Sequence, residues 1–211
     1  ISEIELRRQA VELRSLTANL QDLVDSRTSE LRDSEQRLRV LLDVNNPIVT
    51  CLDRESMFAA TAAALRTAIP YDRCALVLLD PVKDVFRVLG VAGPVPSPPI
   101  IPLGTEWPRH QSRSGWILEH RKPMLTTDFL TAPPFAEHGP LLKEGLRSAV
   151  SVPLEIKGKI IGTLNVGSRV PGNYGQSDAS LLAAIAEQVG PAIENLLAYE
   201  QIAALKARLE E

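Results

Sequence analysis

The amino-terminal part of the chain carries an apolar repeat that predicts one long helix over residues 1–45, ended by Pro47. This part contains no Gly or Pro, and leucines recur every seven residues with a second set three places behind. The positions of this seam are Leu6, Leu13, Leu16, Leu20, Leu23, Val24, Leu31 and Leu38. Such a helix would be about 65 Å long at 1.5 Å per residue and has nothing of its own to cover the stripe. The pattern therefore favours a parallel coiled coil with a second copy of the chain; the alternative is a surface helix folded back on its own domain.

The segment that follows changes from helical to strand periodicity. Asp53 is the predicted N-cap of a helix over residues 55–69, in which apolar residues recur at three or four positions. Residues 73–79 are apolar on both alternating sets, which predicts a strand covered on both faces and therefore central in its sheet. A turn then leads back through a second predicted strand over residues 85–92.

Two irregular regions and a second hairpin come next. Residues 93–114 are rich in proline, which predicts a long loop of the kind that often carries binding residues, and residues 128–140 are similar. Short elements are expected beside these loops: helices over 115–120 and 141–144, and a strand over 123–127. The clearest hairpin has strands over 148–156 and 159–168, joined by a Lys-Gly pair whose Gly permits a positive φ.

The carboxy-terminal part, residues 178–211, repeats apolar residues at helical spacing beyond the length that one domain core can cover. Pro191 lies inside it, and since the apolar period resumes on both sides, we expect a bend rather than a break. Val189 and Leu196 lie on its apolar stripe and are predicted to join the leucine seam in a dimer interface. The predicted organisation is a coiled-coil helix over 1–45, a mixed α/β (α+β) domain over 46–195, and an output helix over 178–211 shared with that domain.

Composition and charge narrow the possible partners. The 211 residues are 45% hydrophobic and 23% charged, with a net charge of -3, which fits a globular domain with extensions rather than a disordered chain. Without a basic balance, direct binding to nucleic acid or to an anionic membrane is not expected. No apolar run approaches a membrane span and no signal peptide is recognisable, so a cytoplasmic location is expected. The chain begins at Ile1 and is expected to be a piece of a longer protein.

Three sequence blocks resemble the GAF domain, and the resemblance covers residues 38–200. They are Gly-Leu-Arg-Ser-Ala-Val-Ser-Val-Pro-Leu at 145–154, Gly-Lys-Ile-Ile-Gly-Thr-Leu-Asn-Val at 158–166, and a helix with Asp178, Leu182, Gln188 and Asn195. The resemblance implies a GAF fold, with a mostly antiparallel central sheet and helices on both faces. Residues 41–46 and 194–202 are further similar to GAF domains of the formate-hydrogenlyase-activator type, found in sigma-54-dependent regulators. Residues 27–31 resemble the signalling helix of bacterial sensor kinases.

The same resemblance implies a function. It suggests a regulatory sensor module of a bacterial signal-transduction or transcription-regulatory protein, in a homodimer that binds a small ligand and relays the signal through its helices. The effector domain that receives the signal would be covalently linked and lie outside this chain. The alternative is a GAF domain with a degenerate pocket, which dimerises and relays strain between flanking domains without a ligand.

The ligands known for GAF domains can be tested against the residues. The Asn-Lys-Phe-Asp-Glu signature of cyclic-nucleotide-binding relatives is absent, so no cyclic nucleotide is expected. Cys51 lies before a helix cap and Cys74 inside an apolar strand, which suits neither a covalent bilin chromophore nor a methionine-sulfoxide reductase with loop cysteines. His110, His120 and His138 lack helix-face metal spacing and no metal is expected, although a site assembled from separate loops stays open. No catalytic motif is present, so no enzyme activity is expected.

The candidate ligand pocket would lie under the two irregular regions. Its predicted residues are aromatic, cationic or at the start of a strand: Trp107, Arg109, His110, Trp116, Phe129, Phe135, His138, Arg147 and Ser148. Aromatic rings with one or two cations suit a small organic anion. Structural alternatives stand beside these roles, with Trp116 in the core, Arg109 in solvent and Arg147 capping a turn. Ser151 and Asn165, on strands, are also placed to face the pocket, unless Asn165 satisfies a buried backbone group.

Overall fold

The chain divides into two compact units, residues 1–39 and residues 40–211. The computed structural model describes residues 19–29, 54–94, 96 and 99–209 of them. In the first unit, residues 19–29 form a helix on which Leu20, Leu23 and Val24 are each more than half exposed. The other positions of the predicted seam, the predicted cap and one cysteine lie outside the described residues: Leu6, Leu13, Leu16, Leu31, Leu38, Asp53 and Cys51.

The second unit is built around one sheet. Its strands are β1 (Arg73–Asp80), β2 (Val85–Ala92), β3 (Glu106–Pro108), β4 (Met124–Thr126), β5 (Ser148–Ile156) and β6 (Lys159–Ser168). Its helices are α1 (Arg54–Ala68), α2 (Arg113–His120), α3 (His138–Lys143) and α4 (Gln176–Leu209), with a 3₁₀ turn at Arg109–Gln111. The six strands are antiparallel in the order β3-β2-β1-β6-β5-β4, so the prediction that residues 73–79 form a central strand is confirmed.

Strand β1 separates the two layers of the unit, because its side chains alternate between them. Cys74, Leu76 and Leu78 join the main core on one face of the sheet. Ala75 and Val77 lie on the other face, where they line a cavity. This burial on both sides explains why the strand is apolar at consecutive positions.

The main core lies between the sheet and helices α1 and α4. Its fully buried members include Leu65 of α1, Leu164 of β6, and Leu182 and Ile185 of α4. Each such side chain contributes about 1.5–3 kcal/mol when it is removed from water. Helix α4 continues through Pro191, as the resumption of its apolar period predicts. No helix among the described residues combines the length and the apolar character needed to cross a membrane.

The packing of α4 decides which of its residues are left exposed. Val189 and Leu196, which the sequence prediction assigned to an interface between chains, are buried in the main core of their own unit. The physical reason is that the stripe of α4 facing the sheet extends through both positions. Among the α4 side chains that the structure describes, the exposed large apolar ones lie farther along, at Tyr199 and Ile202.

The loops differ from the sequence prediction in one region and agree in another. The β5–β6 hairpin has its predicted bounds, and both turn residues have positive φ, 49° at Lys157 and 80° at Gly158. Residues 99–114 hold more structure than predicted. Trp107 pairs with Phe86 across β3 and β2, and α2 begins early because the Ser112 side chain accepts a hydrogen bond from the backbone N–H of Gly115. The missed strand depends on a partner distant in sequence, which local periodicity does not show.

Candidate functional site

A cavity lies against the face of the sheet that carries Ala75 and Val77. The centre of a water molecule can occupy about 70 Å³ within it. Its walls combine the sheet with α2, α3, a first loop (residues 99–105) and a second loop (residues 127–137). The lining residues are Arg73, Ala75, Val77, Val88, Ile101, Trp107, Arg113, Ser114, Phe129, Glu137, Leu141, Leu146, Ala149, Ser151, Asn165, Val166 and Gly167. The cavity thus has an apolar body with a small number of polar groups, which is typical of small-molecule sites.

Arg113, the first residue of α2, places a buried cation in this cavity. The residue is only 5% exposed, and its Nη2 donates to Ser151 Oγ at 2.9 Å. Its Cζ lies 5.1 Å from the centroid of the Phe129 ring, a cation–π contact. Its Nε has no hydrogen-bond partner. Burial lowers the pKa of Arg113 to about 10, against the opposing charge of Glu137, so the side chain remains a cation at neutral pH.

Glu137, at the end of the second loop, brings a carboxylate to the same cavity. It is 9% exposed, and its Oε1 accepts a hydrogen bond from the backbone N–H of Arg113 at 2.8 Å. Its Oε2 has no partner. Burial raises the pKa of Glu137, while the charge of Arg113 acts in the opposite direction. Among the ion pairs of the described residues there is none between these two side chains, so each retains an unsatisfied polar atom.

A buried ion pair ties the first loop to the sheet. Arg73 Nη1 lies 2.5 Å from Glu144 Oε2, and the two side chains are only 6% and 3% exposed. The other carboxylate oxygen of Glu144 accepts from the backbone N–H of Ile101 at 3.1 Å, and Arg73 Nη2 donates to the Ile101 carbonyl at 3.4 Å. Burial lowers the pKa of Arg73, and Glu144 acts against that shift. The pair therefore joins the start of β1, the end of α3 and the first loop around the cavity.

The hydroxyl and amide groups of the cavity are largely satisfied by the protein. Ser114 Oγ and Thr163 Oγ1 share a hydrogen bond of 2.8 Å. Asn165 Nδ2 donates to the Ala75 carbonyl at 3.2 Å and to Thr163 Oγ1 at 3.1 Å. Asn165 thus both lines the cavity and satisfies a backbone carbonyl, and Ser151 also lines the cavity. The unsatisfied groups at this site are therefore the charged ones.

Two aromatic residues that the sequence singled out, Trp107 and Phe129, line the cavity. The other predicted aromatic and histidine side chains lie outside its lining. Trp116 stacks on His120 with 4.0 Å between ring centroids. Phe135 lies edge-on to His138, at 5.4 Å between centroids.

The remaining predicted site residues also have positions outside the lining. Arg109 is partly exposed, and its Nη1 lies 3.3 Å from Asp84 Oδ1. His110 is exposed beside Gln111. Two others hold connecting segments to the sheet. Arg147 holds the second loop, because it binds the Asp128 carboxylate through Nε at 3.0 Å and Nη2 at 2.6 Å. Ser148 holds the segment between β6 and α4, because it donates to the Val170 carbonyl at 2.6 Å.

The sequence prediction missed the charged residues of the cavity. Arg73 had a recognisable signal, because a cation that opens an otherwise apolar strand has to find a partner when that strand is central. Arg113 and Glu137 had none, since each stands in a polar stretch that reads as exposed loop or helix start. Their burial results from the two loops closing over the sheet.

Acid is expected to destabilise the protein through His138. Both ring nitrogens are buried without a hydrogen-bond partner, and the ring centroid lies 4.9 Å from the centroid of the Phe129 ring. Burial, with a contribution from Arg113, lowers the pKa of His138 to about 4, against about 6.5 in the unfolded chain. Between these values the unfolded state binds more protons, so stability falls as the pH drops, by up to about 3 kcal/mol from this residue. Urea unfolding of the protein and of His138→Leu at pH 7 and pH 4.5 measures the difference; parallel pH curves for the two would contradict it.

Cys74 is expected to be inert in the folded protein. The residue is completely buried, and burial raises the pKa of its thiol to about 12, so almost no thiolate is present at neutral pH. In a Cys51→Ser variant, which leaves Cys74 as the one thiol of the sequence, a disulfide reagent should react rapidly in urea and at least about 100-fold more slowly in native buffer. Rapid native modification would reopen a redox role.

In the part of the chain that the structure describes, no group of three His, Cys, Asp or Glu side chains is placed to hold a metal ion. The fold and the cavity define a small α+β domain in which one antiparallel sheet separates a helical layer from a loop-covered pocket. The model of the GAF domain family matches residues 53–193, and the chain belongs to this family.

Solved structures with the same fold come from several kinds of protein. The GAF domain of a phosphoenolpyruvate-protein phosphotransferase from Coxiella burnetii has a TM-score of 0.68 at 16% identity, covering 79% of this chain and 98% of that one. Free methionine-R-sulfoxide reductase from Neisseria meningitidis has a TM-score of 0.64 at 21% identity, covering 77% and 91%. The GAF domain of a two-component sensor histidine kinase from Bacillus halodurans has a TM-score of 0.59 at 21% identity, covering 67% and 94%. At these identities the likeness concerns the fold. A search of the curated proteins finds no match.

Proposed function

We propose that the chain is a regulatory sensor module that binds a small organic molecule in the cavity between the sheet and the two loops. The observation that carries this proposal is the cavity itself, an apolar space into which the cation of Arg113 is buried with an unsatisfied N–H. Burying a cation with an incomplete set of partners costs free energy, and such groups cluster at binding sites where a ligand completes the set. The module has no enzymatic role in this proposal.

The sheet supplies a route from the cavity to the long helix α4. Along β5, Ala149 and Ser151 line the cavity, while Val150, Val152 and Leu154 between and beyond them belong to the main core. These core residues share that core with α4. A ligand that repositions Arg113 and its partner Ser151 therefore acts across a single strand on the helix, and a small bias between two helix arrangements is enough to change an output.

The proposed module works as a homodimer. In support, Leu20, Leu23 and Val24 form an exposed apolar stripe on the helix at 19–29, and Tyr199 and Ile202 are exposed on α4. Apolar stripes on long helices are commonly covered by a partner helix. We place the module in the cytoplasm, without direct contact with nucleic acid or membrane. Its effector domain would be covalently linked, as in a sensor kinase or a sigma-54-dependent regulator.

Native mass spectrometry of the freshly purified chain tests both parts of the proposal in one spectrum. A dimer with a discrete added mass is the expected result and would supply the formula of the ligand. That compound should then raise the free energy of unfolding by about 2.7 kcal/mol at a hundredfold excess over its Kd. A dimer with no adduct, and no stabilisation by any compound of a metabolite collection, would instead favour the relay without a ligand.

Charge in the leucine seam is expected to separate the dimer. The double variant Leu13→Glu with Leu20→Glu should be monomeric by sedimentation, because four like charges would face each other across a parallel seam. The matched control Ser15→Glu with Gln21→Glu adds the same charge at polar positions off the seam and should remain dimeric. If both variants stay dimeric while the far-ultraviolet circular dichroism of the sheet unit is unchanged, the seam is not the interface.

A further inference from the structure

We propose that the ligand of this cavity is a small zwitterion with an apolar body, of the α-amino-acid type, held by Arg113 at its carboxylate and by Glu137 at its ammonium group. This inference rests on the proposed function, and it replaces the simple organic anion that the sequence suggested. It follows from which polar atoms of the cavity are satisfied by the protein and which are not.

The cationic half of the site is the free edge of Arg113. The residue is only 5% exposed, and its Nη2 already donates to Ser151. Its Nε–H is buried without an acceptor. The Phe129 ring against the guanidinium and the hydrogen bond to Ser151 hold the side chain in place, so this donor is fixed before a ligand arrives. A ligand carboxylate would supply the missing acceptor.

The anionic half is the free oxygen of Glu137. Its Oε1 is held by the backbone N–H of Arg113, which fixes the carboxyl group in the same cavity, and its Oε2 is buried without a donor. A ligand that is only an anion would complete Arg113 but would meet the Glu137 carboxylate with like charge. A ligand that is only a cation would have the converse difficulty with Arg113.

The other charged pair of the cavity does not alter this balance. Arg73 forms an ion pair with Glu144 at 2.5 Å between Nη1 and Oε2. Both side chains also form hydrogen bonds with the backbone of Ile101. The site therefore presents one unsatisfied cation and one unsatisfied anion, with no net charge. Around them the wall is formed by apolar side chains such as Val77, Val88 and Leu146, which suit an aliphatic or thioether body.

Isothermal titration calorimetry on the 211-residue chain tests the charge requirement directly. The probes are L-alanine, L-valine, L-leucine and L-methionine, each compared with the carboxylic acid lacking its ammonium group and the amine lacking its carboxylate; for leucine these are 4-methylpentanoate and 3-methylbutylamine. At least one amino acid should bind, about 10-fold or more tighter than both of its singly charged analogues, since a hydrogen bond between charged groups is lost in each.

Two conservative variants assign the halves of the site. Glu137→Gln keeps the shape of the side chain and the acceptor for the Arg113 N–H. It should lower the affinity for the amino acid about 10-fold, while the carboxylate analogue binds at least as tightly as before. Arg113→Gln should lower the affinity for the amino acid and leave the affinity for the amine unchanged. Glu119→Gln, on the exposed face of α2, removes the same charge outside the cavity and should leave all affinities unchanged. Melting temperatures of the three variants show that each is folded.

The outcomes separate this inference from the proposed function. If the carboxylate analogue binds as tightly as the amino acid, the zwitterion is overturned and the sensor role stands with an anionic ligand. If no amino acid binds up to 10 mM while the purified dimer still carries an added mass, the zwitterion is again overturned and the sensor role stands. If no probe binds and no adduct is found, both fail.

Discussion

Replacing Glu144 with alanine should lower the free energy of unfolding by about 3–5 kcal/mol. The carboxylate is 97% shielded, and its removal leaves the buried guanidinium of Arg73 without a counter-charge and the N–H of Ile101 without an acceptor. Breaking a buried pair in this way is costly because the remaining charge stays out of water. Urea denaturation followed by circular dichroism measures the change. The first loop should also become more sensitive to proteolysis, since Glu144 is one of the residues that hold it.

Two controls show whether burial is the cause. Glu194→Ala removes the carboxylate of the exposed pair with Lys157, where the N–O distance is 3.0 Å, and should cost less than about 1 kcal/mol. The double variant Arg73→Met with Glu144→Leu removes both buried charges and should recover most of the loss from Glu144→Ala, because no unpaired charge remains. An effect of Glu144→Ala no larger than that of Glu194→Ala would mean that the pair is solvated in solution.

Gly115→Ala is expected to destabilise the protein by about 3 kcal/mol, toward the upper end of the cost of overpacking. A Cβ at this position would lie 1.8 Å from the carbonyl oxygen of Arg109, a backbone atom in the 3₁₀ turn that cannot rotate aside. Either that turn or the start of α2 has to shift. Because Arg113 stands two residues before Gly115 in the same helix turn, ligand affinity should fall together with stability.

Gly139 offers a matched control for this substitution. It lies in α3, is exposed, and has nothing within 4 Å of an added Cβ. Gly139→Ala should therefore change the free energy of unfolding by no more than about 1 kcal/mol, toward higher stability, since alanine is the better helix former. Equal melting temperatures for the two alanine variants would contradict the close approach of the 3₁₀ turn to α2.

How much of the fold could be predicted depends on how local its causes are. The turn at Lys157 and Gly158 is specified by two adjacent residues, and β1 by consecutive apolar side chains, so both were predicted within a residue or two. Strand β3 was not predicted, because three residues carry no period of their own and the strand exists through its pairing with β2. The burial of Val189 and Leu196 was likewise not predicted, since a helical stripe alone does not show which apolar surface will cover it.

The candidate site was less predictable than the fold. Of the aromatic side chains that the sequence analysis assigned to a pocket, Trp107 and Phe129 line the cavity, and their role in binding stays a prediction. Their charged neighbours were missed, because a charged residue in a polar stretch is usually solvated. Arg73 and Glu144 are in contact although 71 positions separate them in the sequence, and Arg113 and Glu137 although 24 do. A local sequence pattern does not indicate contacts at such separations.

The GAF family, the antiparallel hairpins and the helical periodicity toward both ends of this chain can be read from the amino-acid sequence, because short-range sterics and apolar spacing are sufficient for these. The covered face of α4 and the polar side chains that enter the cavity depend on the folded chain as a whole. The reason is that desolvation depends on what closes over a residue. Arg113 and Glu137 have the character of surface residues until the two loops fold onto the sheet, and each then carries a buried polar atom without a partner.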